Sequence, residues 1–135
     1  MQAAALNHDR LALRLPVRAA SVGIGRSAAA QFAEEAGCDP ITLWRVRLSV
    51  SEAISNVVLH AHPPDQEEQH HLVLVVEADQ GRLQVTISDE GHGLRSRTDS
   101  PGMGFGLALI ANSCDELALD TGDGGGTVVH MTFLR

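Results

Sequence analysis

The sequence predicts a two-layer α/β sandwich, in which helices cover one face of a mixed, mainly antiparallel β-sheet. Three observations favour this fold class. Residues 10–15 alternate polar and apolar side chains, as a half-buried strand does. Two β-branched runs, 72–78 and 83–88, are separated by only four residues, which predicts an antiparallel hairpin. Residues 48–61 carry apolar side chains at helical spacing, with no glycine or proline among them.

The first third of the chain predicts one strand and one helix. The strand at 10–15 ends at Pro16, because proline cannot donate to a sheet ladder. An alanine-rich helix follows over 21–36 and is closed by Gly37. Apolar residues four apart predict its inner face, which comprises Ile24, Ala28, Phe32 and Ala36.

A second, longer helix is predicted to begin at Asp39 and Pro40. Aspartate is a favoured N-cap residue, and proline is favoured at the first helical position. Trp44 is expected to pack inside, and the helix is expected to run until prolines 63–64 end it.

The last third predicts a helix followed by a strand pair. The helix spans 107–117, and strands at 117–120 and 127–134 are joined across the glycine-rich segment 122–126. The apolar side of this helix comprises Leu107, Ile110, Ala111 and Cys114.

Length and composition predict a single domain over residues 1–135, with its core within about 11–134. An apolar content of 44% suffices for one buried core without disulfides. Cys38 and Cys114 lie far apart, with no spacing typical of zinc or redox sites. No signal segment or membrane-spanning run is apparent, so we expect a cytoplasmic protein with no membrane partner.

The charge pattern excludes several function classes. The net charge is −7 and no basic cluster is present, which argues against direct nucleic-acid binding and favours a protein or small-molecule partner. All ten basic residues are arginine. Because P-loops and ordinary protein kinases require a lysine, both are excluded, and phosphoryl chemistry would rely on metal, backbone amides and arginine.

The second helix carries a polar stripe formed by Glu52, Asn56 and His60. These residues are four apart, so their side chains are predicted to stack along one line of the helix, beside an apolar face. A carboxylate and an amide there could offer oxygen ligands to Mg²⁺, or a base beside a ligand. A solvated polar stripe is the alternative interpretation.

Two glycine motifs follow the hairpin. Asp89 stands at a strand end before Gly91 and Gly93, where a carboxylate could accept a hydrogen bond from an exocyclic amine such as that of adenine. A Gly-x-Gly-x-Gly motif at 102–106 lies just before a helix, where backbone N–H groups bind phosphate. Either motif alone also fits a simple turn.

The order of these motifs resembles the GHKL ATPase superfamily, which has the Bergerat fold. The motifs are Glu-x-x-x-Asn on a helix, Asp-x-Gly-x-Gly after a hairpin, Gly-x-Gly-x-Gly-Leu before a helix, and Gly-Thr at a last strand. The segments 50–56, 88–93, 102–107 and 126–133 are similar to those of the anti-sigma factor serine/threonine kinases. The absence of a dimerising helical segment and of a transducer domain favours a stand-alone domain over a histidine kinase or a gyrase-type protein.

The resemblance implies a role for each matching residue. Glu52 corresponds to the general base, Asn56 to the Mg²⁺ ligand and Asp89 to the adenine-binding carboxylate. Thr127 corresponds to a threonine near the adenine, and segment 95–101 to a lid, here short and without lysine. Nucleotide-contacting glycines and their neighbours correspond to Gly91 and Gly93 in the base pocket and to Gly102, Met103, Gly104, Phe105 and Gly106 in the phosphate loop.

The function implied by the resemblance is that of a bacterial, cytoplasmic anti-sigma factor kinase. Such a protein binds a sigma factor and uses ATP and Mg²⁺ to phosphorylate a serine or threonine of a STAS-type anti-sigma factor antagonist. A homodimer through the N-terminal strand and helix is also implied. The alternatives are an ATP-binding module that acts by partner switching without phosphotransfer, and a switch protein that activates a phosphatase or cyclase partner.

Overall fold

A computed structural model describes residues 4–6, 10–61, 70–89, 103–121 and 126–135. In chain order its elements are β1 (Ala4–Leu6), β2 (Arg10–Pro16), α1 (Ala20–Glu35), α2 (Pro40–Asn56), a π-helical turn (Val57–Ala61), β3 (His71–Asp79), β4 (Arg82–Asp89), α3 (Met103–Ser113), β5 (Glu116–Thr121) and β6 (Thr127–Leu134). No helix among these residues combines the length and apolar character that a membrane crossing requires.

The strands form one sheet in the order β1-β2-β3-β4-β6-β5. The predicted α/β sandwich is confirmed, and every pairing between the described strands is antiparallel. Both hairpins occur where the sequence predicts them. One cross-strand row consists of Leu13, Leu74, Ile87 and Val129, all of them buried.

The core lies between the inner face of the sheet and the helices. Helix α1 contacts β2 and β3, α2 contacts β4 and β6, and α3 contacts β5, while α2 packs between α1 and α3. Because side chains alternate across a strand, each central strand contributes every second residue to this core. The opposite, outer face of the sheet carries no described helix.

Helix α2 begins as predicted but presents a different side to the core. The Asp39 side chain accepts a hydrogen bond from the Thr42 backbone N–H at 2.8 Å, and Pro40 occupies the first turn. The prediction that Trp44 packs inside is wrong, because its side chain is 61% exposed. Val46 and Val50, which are buried, lie on the opposite side of the helix from Trp44.

The buried face of α1 agrees with the prediction only in part. Phe32 is buried and Ala28 packs against the core, as predicted, but Ile24 is exposed. Gly25, Ala29 and Ala33 are buried as well. The reason is close packing, since an added Cβ at Gly25 would overlap Ile54 of α2. Small residues, rather than the largest apolar ones, therefore line the contact between the two helices.

The last helix and the N-terminal leader depart from the predicted boundaries. Helix α3 spans Met103–Ser113 instead of 107–117, and β5 starts at Glu116. Ile110 and Cys114 are buried as predicted, but Ala111 is exposed. The unassigned leader supplies β1, which pairs with β2 at the edge of the sheet.

Candidate functional site

Asn56 is a buried polar residue at the end of α2. Its side chain is 6% exposed, and its Nδ2 has no hydrogen-bond partner among the described residues. A buried donor without an acceptor is destabilising by about 1–3 kcal/mol, so this amide is a candidate for ligand binding. The solvated polar stripe, considered as an alternative, does not describe this residue.

The helix changes geometry directly after Asn56. Residues Val57–Ala61 form a π-helical turn, a distortion that occurs frequently at functional sites. The described side chains of the predicted three-residue stripe are those of Glu52 and Asn56, and the helix changes its geometry between Asn56 and His60.

Glu52 and Asn56 lie on the ridge of α2 that faces α3. Positions 45, 49, 52 and 56 follow one another at spacings of three and four, so they share one line along the helix. Arg45, at the start of this line, donates a hydrogen bond from Nε to the Ser113 carbonyl oxygen of α3 at 2.9 Å. Glu52 is half-buried on this ridge, and Ser49 is fully buried.

The contacts of Arg45 also set the direction of α3. They hold the C-terminus of α3 beside the N-terminal half of α2, and the two helices pack against each other. The N-terminal turn of α3 is thereby directed towards the C-terminal half of α2. Residues 103–106 form this first turn, whose N–H groups have no acceptor within the helix and carry the positive end of its dipole.

The end of β4, in the sheet beneath the helices, carries a carboxylate. Asp89 is 5% exposed and shares the helix-facing side of the strand with Ile87. It pairs with Leu72, which in turn lies next to Leu15 in the sheet. The position of an added Cβ at Gly25 lies 3.5 Å from Leu15 Cδ1 and against Ile54, so this end of the sheet lies under the C-terminal half of α2.

Thr127 stands next to Asp89 in the sheet. The pairing of Ser88 with Val128 places these two residues side by side on neighbouring strands. Both lie in the alternation that faces the helices, in register with the buried Ile87 and Val129.

Only some of the remaining predicted site residues lie within the part of the chain that the structure describes. The backbones of Met103, Gly104, Phe105 and Gly106 lie inside α3 rather than in a loop before it. Because the helix begins at Met103, Gly104 and Gly106 supply backbone amides at its N-terminus. Gly91, Gly93, Gly102 and the lid segment 95–101 lie outside the described residues.

Sequence reasoning missed Arg45, whose partners are distant in sequence. The guanidinium also pairs with Asp115 at 3.2 Å and lies 5.9 Å from the centroid of the Phe133 ring. The pKa of Asp115 is below its ordinary value, chiefly because its carboxylate accepts a hydrogen bond from the Leu134 backbone N–H. The hydrogen bond and positive charge of Arg45 lower this pKa further. No local pattern around residue 45 could have predicted these contacts.

Comparison with known proteins identifies the family of this chain. The family model described as the histidine kinase-like ATPase domain matches residues 15–133. The serine-protein kinase RsbW of Listeria monocytogenes serovar 1/2a is 28% identical over 143 aligned positions, which cover 95% of this chain and 89% of that protein. The anti-sigma F factor of Bacillus thuringiensis is 24% identical over 101 positions, covering 67% of this chain and 68% of that protein.

A solved structure has a similar fold. It is that of the RsbU and RsbW domains of Rv1364c from Mycobacterium tuberculosis, with a TM-score of 0.69 and 20% sequence identity. The match covers 93% of this chain and 32% of that longer chain. At this identity the likeness concerns the fold.

Proposed function

Since this chain belongs to the histidine kinase-like ATPase domain family, we propose that it is an ATP-dependent serine/threonine kinase of the anti-sigma factor type. The observation that carries the proposal is the unpartnered, buried amide of Asn56. It lies on the ridge of α2 that faces α3, at the end of the sheet that bears Asp89.

Asp89 and Thr127 would recognise the nucleotide base. A buried carboxylate accepts a hydrogen bond from the exocyclic amine of adenine, and a neighbouring threonine hydroxyl can serve as donor or acceptor. Gly91 and Gly93 would leave room for the ring, because they carry no side chains.

Asn56 and the start of α3 would bind the phosphates. The N–H groups of Met103–Gly106 suit a phosphate chain at a helix N-terminus, and Gly102 would let the chain approach closely. The carboxamide of Asn56 fits Mg²⁺ through its oxygen and a phosphate or water ligand through its unpartnered Nδ2. When bound, Mg²⁺ supplies neutralisation of the phosphate charge.

Glu52 would act as the general base. It lies one helical turn before Asn56 on the same ridge, and it is half-buried, so an incoming hydroxyl group could reach it. Its carboxylate would accept the proton from the serine or threonine hydroxyl of a protein substrate. A binding module without phosphotransfer has no need of a carboxylate at this position.

The names of the relatives support the partners of this proposal. One relative is called a serine-protein kinase and another an anti-sigma F factor. The proposed partners are therefore a sigma factor and a STAS-type anti-sigma factor antagonist, in the cytoplasm of a bacterium. A homodimer is part of the same proposal.

Phosphotransfer to a purified antagonist domain tests the function. The chain, γ-labelled ATP, Mg²⁺ and the antagonist should give label on the antagonist, and Glu52→Gln should abolish transfer while ATP binding persists. Glu34→Gln, at an exposed glutamate on α1, is the matched control and should behave as the unchanged protein. Tight antagonist binding without label would favour the partner-switching module, and transfer by Glu52→Gln would contradict the assignment of the base.

A further inference from the structure

Helix α2 carries a second ridge, whose side chains are apolar although they face away from the core. Ile41 is 73% exposed, Trp44 is 61% exposed and Leu48 is half-buried. Together with Glu52, these residues follow one another at spacings of three and four, so they share one line along the helix. Polar side chains usually occupy the outer side of a surface helix, so this ridge is a candidate contact surface.

Helix α3 extends the apolar surface of this ridge. Leu109 is 36% exposed and lies one turn before Ser113, whose carbonyl oxygen accepts the hydrogen bond from Arg45. Because the two helices run in opposite directions, one turn back along α3 corresponds to one turn forward along α2. Leu109 therefore lies at the level of Leu48. The α2–α3 patch is defined as Ile41, Trp44, Leu48 and Leu109.

The nucleotide of the proposed function does not account for this patch. ATP would bind beside Asn56 and the first turn of α3, at the C-terminal end of α2. Trp44 lies 12 positions before Asn56, which is about 18 Å along the helix axis. The patch therefore extends away from the nucleotide, and its size and apolar character fit a protein surface.

The patch leads to the proposed general base. Leu48 lies one turn before Glu52 and Trp44 lies two turns before it, which is about 6 Å and about 12 Å along the axis. A folded protein that delivers a serine or threonine hydroxyl to Glu52 is larger than these distances, so its surface beside the acceptor residue would cover the patch. A partner that is not phosphorylated has no such need to approach Glu52.

A positive charge borders the patch. Arg45 and Arg47 are the charged residues of α2 besides Glu52, in a chain whose net charge is −7. Arg45 is paired with Asp115, whereas Arg47 is exposed and lies three residues after Trp44. Acidic side chains around an apolar partner surface would be attracted to this position.

We propose that the α2–α3 patch is the docking surface for the protein substrate of the kinase, and that it binds apolar side chains beside the acceptor serine or threonine. Trp44 is the only tryptophan of the chain and the expected anchor, because exposed tryptophans often dominate the binding energy of an interface. This inference rests on the proposed function, since it assigns the contact made by the antagonist. Binding and phosphotransfer are measured separately, so either can fail alone.

Antagonist binding by the full chain tests the patch. The probes are purified STAS-domain proteins from the same organism, titrated calorimetrically into the chain with Mg²⁺ and a non-hydrolysable ATP analogue. Trp44→Gln should raise the dissociation constant of the antagonist about tenfold or more, and Ile41→Gln should raise it by a smaller factor. In the kinase assay, Trp44→Gln should raise KM for the antagonist by a similar factor, with kcat and the affinity for the nucleotide unchanged.

Matched variants make the test specific. Leu134→Gln replaces a 52% exposed leucine on β6 and should leave antagonist binding unchanged, and Trp44→Phe should keep most of the affinity because it retains an aromatic ring. Thermal melting verifies that each variant folds.

The outcomes separate the patch from the kinase. Unchanged antagonist binding by Trp44→Gln, an equal loss in Leu134→Gln, an effect of Trp44→Gln on sigma factor binding alone, or no binding of any STAS-domain protein would each overturn the docking surface. Loss of antagonist binding in Trp44→Gln, combined with no label transfer by the unchanged protein, would support the docking surface and contradict the kinase. Label transfer with equal KM in both proteins would do the reverse.

Discussion

Arg45 of α2 holds the C-terminus of α3 through Ser113, whose carbonyl oxygen accepts a hydrogen bond from Arg45 Nε at 2.9 Å. This carbonyl is one of the last four of α3, which have no partner within the helix. The same guanidinium pairs with Asp115, and the backbone N–H of Asp115 donates to the Thr132 carbonyl at 2.8 Å. One side chain therefore links α2, the end of α3 and the last strand.

Replacing Arg45 should weaken both stability and nucleotide binding. We expect Arg45→Met to lower the free energy of unfolding by about 1–2 kcal/mol, since it removes a charge-assisted hydrogen bond and a partly exposed ion pair. We also expect weaker ATP binding, because the N-terminal turn of α3 is no longer held in direction. Urea denaturation and ATP titration measure the two effects, and Arg47→Met, at an exposed neighbour, should change stability by less than about 0.5 kcal/mol.

Asn56 should prove dispensable for folding but essential for ligand binding. We expect Asn56→Leu to leave the free energy of unfolding unchanged or to raise it by up to about 1 kcal/mol, because it removes a buried donor without a described partner. For the unchanged protein, Mg²⁺-ATP at 100 times its dissociation constant should add about 2.7 kcal/mol, and Asn56→Leu should lose this gain.

Ser49→Ala is the matched control for that experiment. Its Oγ is also buried without a partner among the described residues, on the same ridge of α2. This variant should be as stable as the unchanged protein and should keep the ATP-induced stabilisation. If Asn56→Leu unfolds more readily but still gains stability from ATP, the amide has a structural role and not a ligand-binding one.

Features encoded over a few neighbouring residues could be predicted from the sequence. The Asp39 cap depends on residues three positions apart, and the β3–β4 hairpin depends on two short runs and the turn between them. The side of a helix that becomes buried could not be predicted from neighbouring residues alone. Trp44 is apolar, but the core lies on the other side of α2, and only the packing of α1 and α3 determines that side.

Some features of the candidate site could likewise be predicted from neighbouring residues, and others could not. Glu52 and Asn56 could be predicted because helical spacing alone aligns them. The π-helical turn after Asn56 could not be predicted, since the sequence of residues 57–61 has no helix-breaking residue. The sequence also predicts too late a start for α3, because the glycines at 104 and 106 disfavour a helix by their intrinsic propensity, whereas tertiary contacts allow one there.

Acid should destabilise the protein through Asp39 and Asp115. Hydrogen bonds from Thr42 lower the pKa of Asp39, and one from the Leu134 backbone N–H lowers that of Asp115, both below the ordinary value of 3.8. The stability that each contributes is therefore present above the ordinary value and is lost as the pH falls through the folded-state pKa. Melting temperatures measured between about pH 5 and pH 2 should show this loss.

Variants at Asp39 separate the helix-capping hydrogen bond of this side chain from its negative charge. Asp39→Ser keeps a side-chain oxygen for Thr42 but does not titrate, so its melting temperature should depend less on pH in the acid range. Asp39→Ala should lose both the cap and the pH dependence. An acid profile of Asp39→Ser identical to that of the unchanged protein would contradict the assignment.

The close contact between Gly25 and Ile54 should limit how closely α1 can pack against α2, the helix that carries Glu52 and Asn56. A Cβ at position 25 would overlap Ile54 Cδ1 and would lie 3.7 Å from Leu74 Cδ2, so we expect Gly25→Ala to lower the free energy of unfolding by about 1–3 kcal/mol. Ile54→Val removes that methyl group, and the double variant should therefore recover part of the loss in urea denaturation. Gly23→Ala is the control, since its Cβ would meet only the flexible Arg26 side chain at 3.4 Å, and it should be neutral or stabilising because alanine favours helix. Equal effects at positions 23 and 25, without recovery in the double variant, would show that helix propensity rather than this contact governs the region.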